Sequence, residues 1–161
     1  ETLDVRFDGE QIWLQGAEVG TAVRSETAGM TASRVSALAP VRQGLLNLQR
    51  RFQRLPGLVA DGRDMGTVIF PNAALKVYLT ASAEQRAERR YKQLISKGKN
   101  ATIADVLADL QRRDQQDMSR QHAPLKPAQD AVLLDNSEQT IDQSVQTVLN
   151  WWNNQRPFKR A

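Results

Sequence analysis

The chain has 161 residues, a formal net charge of +4 and no cysteine, with a sequence pI near 9.8. That length suits one ordinary domain with a real core, and the lack of cysteine excludes a disulfide framework and a thiolate metal site, which fits a reducing cytosol. No apolar run approaches the roughly 18–20 residues of a membrane span, no signal peptide is legible, and the basic balance fits either a solvated basic surface or an anionic partner, a nucleic acid or a phosphorylated small molecule.

In chain order, the opening at Glu1 in place of methionine reads as a cut end. Leu3–Phe7 and Gln11–Gln15 alternate apolar and polar residues around Asp8-Gly9-Glu10, the pattern of a β-hairpin. Glu18–Arg24 is expected to add a third short strand. From Val41 the period changes: Val41, Leu45, Leu48, Phe52 and Leu55 form an amphipathic helical stripe that Pro56-Gly57 ends. Leu58–Ala60 and Leu75–Leu79 are short apolar runs without alternation, the pattern of strands covered on both faces. Ser82-Ala-Glu-Gln85 predicts a helix-starting capping box and Gly98 its stop. A second helix is expected from Thr102, with Ile103, Val106, Leu107 and Leu110 facing inward. Ala131–Asn136 reads as another buried strand. A final helix carries Ile141, Val145, Val148 and Trp152, ahead of a basic tail that ends Pro157-Phe-Lys-Arg-Ala. Strands alternating with helices predict an α/β domain with a parallel sheet, the early hairpin being an appended subdomain.

The chemistry-bearing residues gather in three places. Asp61-Gly-Arg-Asp-Met-Gly66 follows a predicted parallel strand, the edge at which open α/β sheets bind ligands. Gly62 and Gly66 are expected to allow backbone turns that other residues resist, and Arg63 can fork two hydrogen bonds onto a phosphate. An Asp–Arg ion pair closing a strand end is the plainer alternative. Arg86, Arg89 and Arg90 share a helix face. Arg113, Asp117 and Arg120, at i, i+4 and i+7, align if their helix continues. An aspartate between two arginines can orient both while each still offers donors to an anion; a solvated charged face is the alternative for both sets. His122, the single histidine, is expected in a loop, and Asp105, Asp109 and Asp114 match no metal-loop spacing. Aromatics are few and do not interleave with the basic residues, which weakens a stacking platform for single-stranded nucleic acid.

Taken together, LPGLVADGRDMGTVIFP, LKVYLTASAEQRAERRYKQL, RRDQQDMSR and APLKPAQDAVLLD resemble the bacterial cytidylate kinases over nearly the whole chain and in unbroken order. The resemblance implies an α/β, P-loop nucleoside-monophosphate-kinase-like parallel sheet with helices, plus a small antiparallel CMP-binding insert. The insert would occupy residues 1–50 and the C-terminal part of the kinase core 51–161, with a mobile lid at about 83–120. It implies ATP-dependent phosphorylation of CMP and dCMP to CDP and dCDP, with Mg²⁺ accompanying ATP and held mainly by phosphates, water and the glycine-rich loop of the family's ATP site, in a cytoplasmic enzyme expected to be a monomer. Neither a membrane nor a nucleic acid is expected as partner. Carried over by motif, Ser33, Arg42 and Asp64 would contact the cytosine edge. Asp117 with Arg113 would lie near the sugar. Arg63 and Arg120 would draw in the CMP phosphate, the resemblance allowing Arg120 to reach the base as well, and Arg89 would close over the transferred phosphoryl group. No residue is expected to bind metal.

One departure is that nothing in the chain matches the glycine-rich G-x-x-x-x-G-K-[ST] loop of the family's ATP site. The first strand, that loop and the first helices of the core are therefore expected to be absent, and these 161 residues alone to be inactive as a kinase. The competing readings are a non-catalytic nucleotide- or RNA-binding module and, ranked lowest, a related kinase with UMP or shikimate as acceptor.

Overall fold

Gly9, at φ +56°, turns the chain between β1 (Val5–Asp8) and β2 (Gln11–Leu14), which pair antiparallel with Val5 opposite Leu14 and Asp8 opposite Gln11. A second tight turn follows at Gln15 (φ +50°) and Gly16 (φ +80°), the two left-handed residues that a twist-matched two-residue hairpin turn requires. It leads into β3, which is only Ala17–Glu18. The structure is a computed structural model and describes residues 3–155; the basic tail over 156–161 lies outside the described residues. The chain divides after Val59 into two units, residues 1–59 and 60–161.

In the first unit, the third strand expected over Glu18–Arg24 stops at Glu18. The Glu18 side chain folds back so that Oε1 accepts from the Gly20 amide at 2.7 Å. The chain then enters a short helical turn, α1 (Gly20–Val23). Helix α2 (Glu26–Val35), for which no stripe was legible, starts where the Ser25 hydroxyl accepts the Ala28 amide. The helix expected around Val41 is α3 (Ala39–Arg50), opened by Pro40 in its first turn. It ends before Phe52 and Leu55. Phe52 meets Phe7 edge to face, with ring centroids 5.4 Å apart, and the Arg6 guanidinium lies over the Trp13 ring.

Leu58–Ala60 form no strand, and Val59 is fully exposed. A strand covered on both faces needs paired neighbours. Among the described residues the parallel sheet comprises only β4 (Val77–Thr80) and β5 (Val132–Asp135). These two pair in register, with Val77 opposite Val132 and Thr80 opposite Asp135. Nor are they covered throughout: Leu134 is buried, whereas Leu79 and Leu133 remain more than half-exposed.

The helices of the second unit follow their local signals closely. Ser82 caps α4 (Ala83–Ser96) through the Gln85 amide, and Gly98, at φ +68°, ends it. Thr102 caps α5 (Ile103–Met118) through the Asp105 amide. Thr140 and Gln143 exchange side-chain-to-amide hydrogen bonds at the start of α6 (Ile141–Gln155). Helices α4 and α5 pack together, burying Ala87 and Val106. The α/β expectation thus holds as a parallel strand pair with helices and a separate antiparallel sheet. No helix among the described residues is long and apolar enough to cross a membrane.

Candidate active site

The stretch after Ala60 makes no regular strand end. Instead, Asp61-Gly-Arg-Asp64 runs into a wide helical turn over Met65–Ile69. The Asp64 carbonyl accepts the amides of both Val68 (2.9 Å) and Ile69 (3.2 Å), and the Met65 carbonyl accepts that of Phe70 at 2.7 Å. Bonds that span five residues are uncommon and recur at functional sites. They leave Arg63 and Asp64 on the approach to this turn, Arg63 exposed and Asp64 half-buried.

The glycines here act by their size. Neither Gly62 nor Gly66 has a left-handed φ, contrary to the expectation of special turns. A Cβ at Gly62 would stand 3.1 Å from the Met65 side chain, and one at Gly66 would stand 3.2 Å from Lys76 Cδ. The Lys76 stem crosses Gly66 while its ammonium holds Asp130 at 2.7–2.8 Å. That ion pair keeps the Asp130 carboxyl below its ordinary range.

Asp117 is the centre of the arrangement. It is the one fully buried charged side chain among the described residues. Its Oδ2 accepts from Arg63 Nε at 2.5 Å, and its Oδ1 accepts from Arg120 Nη2. The spacing suggested Arg113 and Arg120 as its flanking partners. In the structure the second hydrogen-bonded guanidinium comes instead from Arg63, 54 positions away. Helix α5 also stops at Met118, so Arg120 reaches back from beyond the helix end, and the Asp117 carbonyl takes the Leu125 amide to fold the following loop inward.

Arg113 completes the cluster without bonding to Asp117. Its Nε is buried with no hydrogen-bond partner among the described residues. Burial pushes its guanidinium below its ordinary pKa, and the charges of Arg63 and Arg120 push the same way against the pull of Asp117. Three guanidinium groups therefore share the field of one buried carboxylate. Asp117 uses only Nε of Arg63 and one Nη of Arg120, so both retain donors. A site with this surplus of oriented positive charge can receive an anion such as a phosphate.

The arginines of α4 separate into different tasks. Arg89 donates to the Asn136 side chain at 3.1 Å and to the carbonyls of Asn136 (2.6 Å) and Ser137 (3.3 Å), which ties α4 to the end of β5. Arg86 forks onto Asp114 of α5, with Nη1 to Oδ1 at 3.1 Å and Nη2 to Oδ2 at 2.6 Å. Arg90 donates to Gln93 within its own helix. The pair Arg86–Asp114, 28 positions apart, was outside the reach of local spacing.

Ser33 and Arg42 lie in the first unit, both half-buried. The Ser33 carbonyl accepts the Ser36 hydroxyl at 3.0 Å, and Arg42 Nη1 donates to the Ser36 carbonyl at 3.2 Å, so α2 and α3 meet around Ser36. His122 is exposed in the loop after α5, as its sequence context predicts. No group of three or more acidic or histidine side chains converges to hold a metal among the described residues.

Comparison with known proteins places this sequence in a family. The sequence pattern of the family described as Cytidylate kinase matches residues 1–154. The chain is similar to the protein named Cytidylate kinase of Cupriavidus necator, 59% identical over 155 residues that cover 96% of the chain and 70% of the relative. The protein of the same name in Cupriavidus pinatubonensis is 59% identical over 150 residues, 93% of the chain and 68% of the relative. That of Bordetella bronchiseptica is 54% identical over 152 residues, 94% and 68% respectively.

Proposed function

The chain belongs to the cytidylate kinase family, and from that premise we propose that it serves the ATP-dependent phosphorylation of CMP and dCMP to CDP and dCDP. One observation carries the reading: buried Asp117 holds Arg63 and Arg120 by separate oxygens while Arg113 crowds them from the same helix. Phosphoryl transfer asks a protein for positioning and charge neutralisation more than for covalent chemistry. A set of guanidiniums oriented before substrate arrives supplies both, because their order need not be created at the moment of reaction.

In this proposal the CMP phosphate takes the remaining donors of Arg63 and Arg120. Asp117 and Arg113 lie near the sugar, and Asp64, with Ser33 and Arg42, reads the cytosine edge. Arg89 attends the transferred phosphoryl group after releasing Asn136 and Ser137. Mg²⁺ arriving with ATP is held mainly by phosphates, water and the family's glycine-rich ATP loop, and the arginines of this chain add to the charge neutralisation. A P-loop kinase core with residues 1–50 as the CMP-binding insert and about 83–120 as the lid belongs to the same proposal, as does a cytoplasmic monomer.

The test is a coupled assay of ADP release by the full-length protein with ATP and CMP, dCMP or UMP. CDP and dCDP are the expected products, with UMP disfavoured. An ionised carboxylate only accepts hydrogen bonds. Asp64 therefore suits the amino group of cytosine and opposes the carbonyl of uracil, a mismatch that can discriminate by as much as ~10⁴-fold. Asp64→Ala should harm CMP far more than UMP. An unchanged CMP/UMP ratio would remove Asp64 from base reading. Retention of RNA with no turnover of any nucleoside monophosphate would favour a non-catalytic binding module.

A further inference from the structure

Two residues with no assigned role stand beside the arginine cluster. Arg86, on α4, makes a two-pronged contact with Asp114, on α5, and its Nε donates to the Ala81 carbonyl just past β4 at 3.2 Å. The side chains are 34% and 25% exposed, shielded enough for the contact to resist screening and wet enough to avoid a full desolvation cost. One guanidinium therefore ties the end of β4, the start of α4 and the C-terminal half of α5 together. Asp114 directly follows Arg113 and lies one helical turn before Asp117. A planar fork on a planar carboxylate fixes orientation as well as distance. It sets the rotation of α5 about its own axis, and with it the direction in which Arg113 and Asp117 project.

We infer that Arg86 and Asp114 are positioning residues for the phosphate-receiving arginines, acting through the setting of α5 and not through contact with substrate. The inference rests on the anion-binding reading of the Asp117 cluster. Asp114 also contributes a second negative charge near Arg113, so its loss leaves the cluster both looser and less compensated.

The experiment is a mutant cycle in the full-length protein, with kcat and KM for CMP and thermal denaturation measured for each variant. Asp114→Asn and Arg86→Met should each lower kcat/KM for CMP by about tenfold, and the double variant should be little worse than either, because both remove one contact. Arg120→Met should cost less in the Asp114→Asn background than in the parent. Arg86→Lys, which keeps a charge and one hydrogen bond, covers the case in which Arg86→Met fails to fold. It should also move the Arg63 Nε–H resonance, which reports the hydrogen bond to Asp117. Lower Tm with unchanged kcat/KM and an unmoved Arg63 resonance would overturn the inference, leaving the pair a plain stabiliser. Costs that add independently would overturn it too. If Arg120→Met alone leaves CMP turnover intact, the anion-binding reading itself fails and the inference falls with it; normal Arg120 dependence beside a silent Asp114→Asn overturns the inference alone.

Discussion

Helix α5 begins one Asp-x-x-Arg pair in its interior and another at its end, and the two behave as different objects. Asp109 and Arg112 bond across one turn with 71% and 67% of their side chains exposed. Asp117 and Arg120 bond with the same spacing at 0% and 10% exposure. Residue types and separation match, so neither explains the difference. What separates them is the company: the loop after the second pair is pinned by the Leu125 amide to the Asp117 carbonyl, and its carboxylate also holds Arg63 from the segment before the wide turn. A charge pair in water is a weak decoration of a helix. The same pair out of water, with surplus cations around it, can receive an anion.

Removing the carboxylates tests the contrast most harshly. Asp117→Asn leaves Arg63, Arg113 and Arg120 facing one another without their counter-charge, and breaking a buried pair costs about 3–5 kcal/mol. Arg63 keeps 42% of its side chain in water, which points to the lower end of that range. Urea denaturation should show this loss, whereas Asp109→Asn should leave the midpoint nearly unmoved. Equal midpoints for the two variants would erase the distinction.

A gentler cut removes the cations. Arg120→Met should lower kcat/KM for CMP at least ~10-fold, the scale of a charge-assisted hydrogen bond of about 1.5–3 kcal/mol. Arg112→Met, taken from the exposed pair, should leave it unchanged. Similar losses in both would mean that a diffuse basic surface, not an oriented cluster, attracts the nucleotide.

The smallest effect concerns an exposed aspartate with better company than Asp109. Asp135, at the end of β5, accepts the Ser137 hydroxyl at 2.6 Å and the Ser137 amide at 2.9 Å on one oxygen, which holds its carboxyl below the ordinary range. Because the folded pKa is the lower one, this contribution to stability is present above the ordinary carboxylate value and is lost as pH falls through the folded value. An NMR titration should find the Asp135 midpoint below the ordinary carboxylate value and shift it upward in Ser137→Ala. Coincident Asp135 midpoints in the parent protein and in Ser137→Ala would show that the hydrogen bonds do not set it.

How much of this was legible beforehand follows the range of the forces involved. Ser82, Gly98 and Thr102 act within a turn of themselves, so the limits of α4 and the start of α5 could be read directly. Helix α2 could not: its apolar residues are small and sparse, Gly29 interrupts it, and its start depends on one hydroxyl at Ser25. Leu58–Ala60 misled because an apolar run states a preference for cover but cannot say whether a neighbouring strand lies alongside. At the site, the spacing of Arg113, Asp117 and Arg120 pointed to the right helix and the wrong partner. Arg63 displaces Arg113 as the second donor because the chain folds back over 54 positions, a contact no local period encodes. Arg86 and Asp114 were each visible, and only the packing of α4 on α5 made them a pair.

The crossing of Lys76 over Gly66 has a consequence for how this segment can vary. A lysine tethered at its tip by Asp130, with only 8% of its side chain exposed, cannot simply swing aside for a new methyl group. Positions 66 and 76 are thus coupled: a methyl group at the first requires the lysine stem at the second to give by a few tenths of an ångström, and a shorter side chain there removes that demand. Mutational libraries that sample position 66 alone would understate its tolerance, while a joint library with position 76 would uncover sequences in which the wide turn and the entrance to β4 have been resized together.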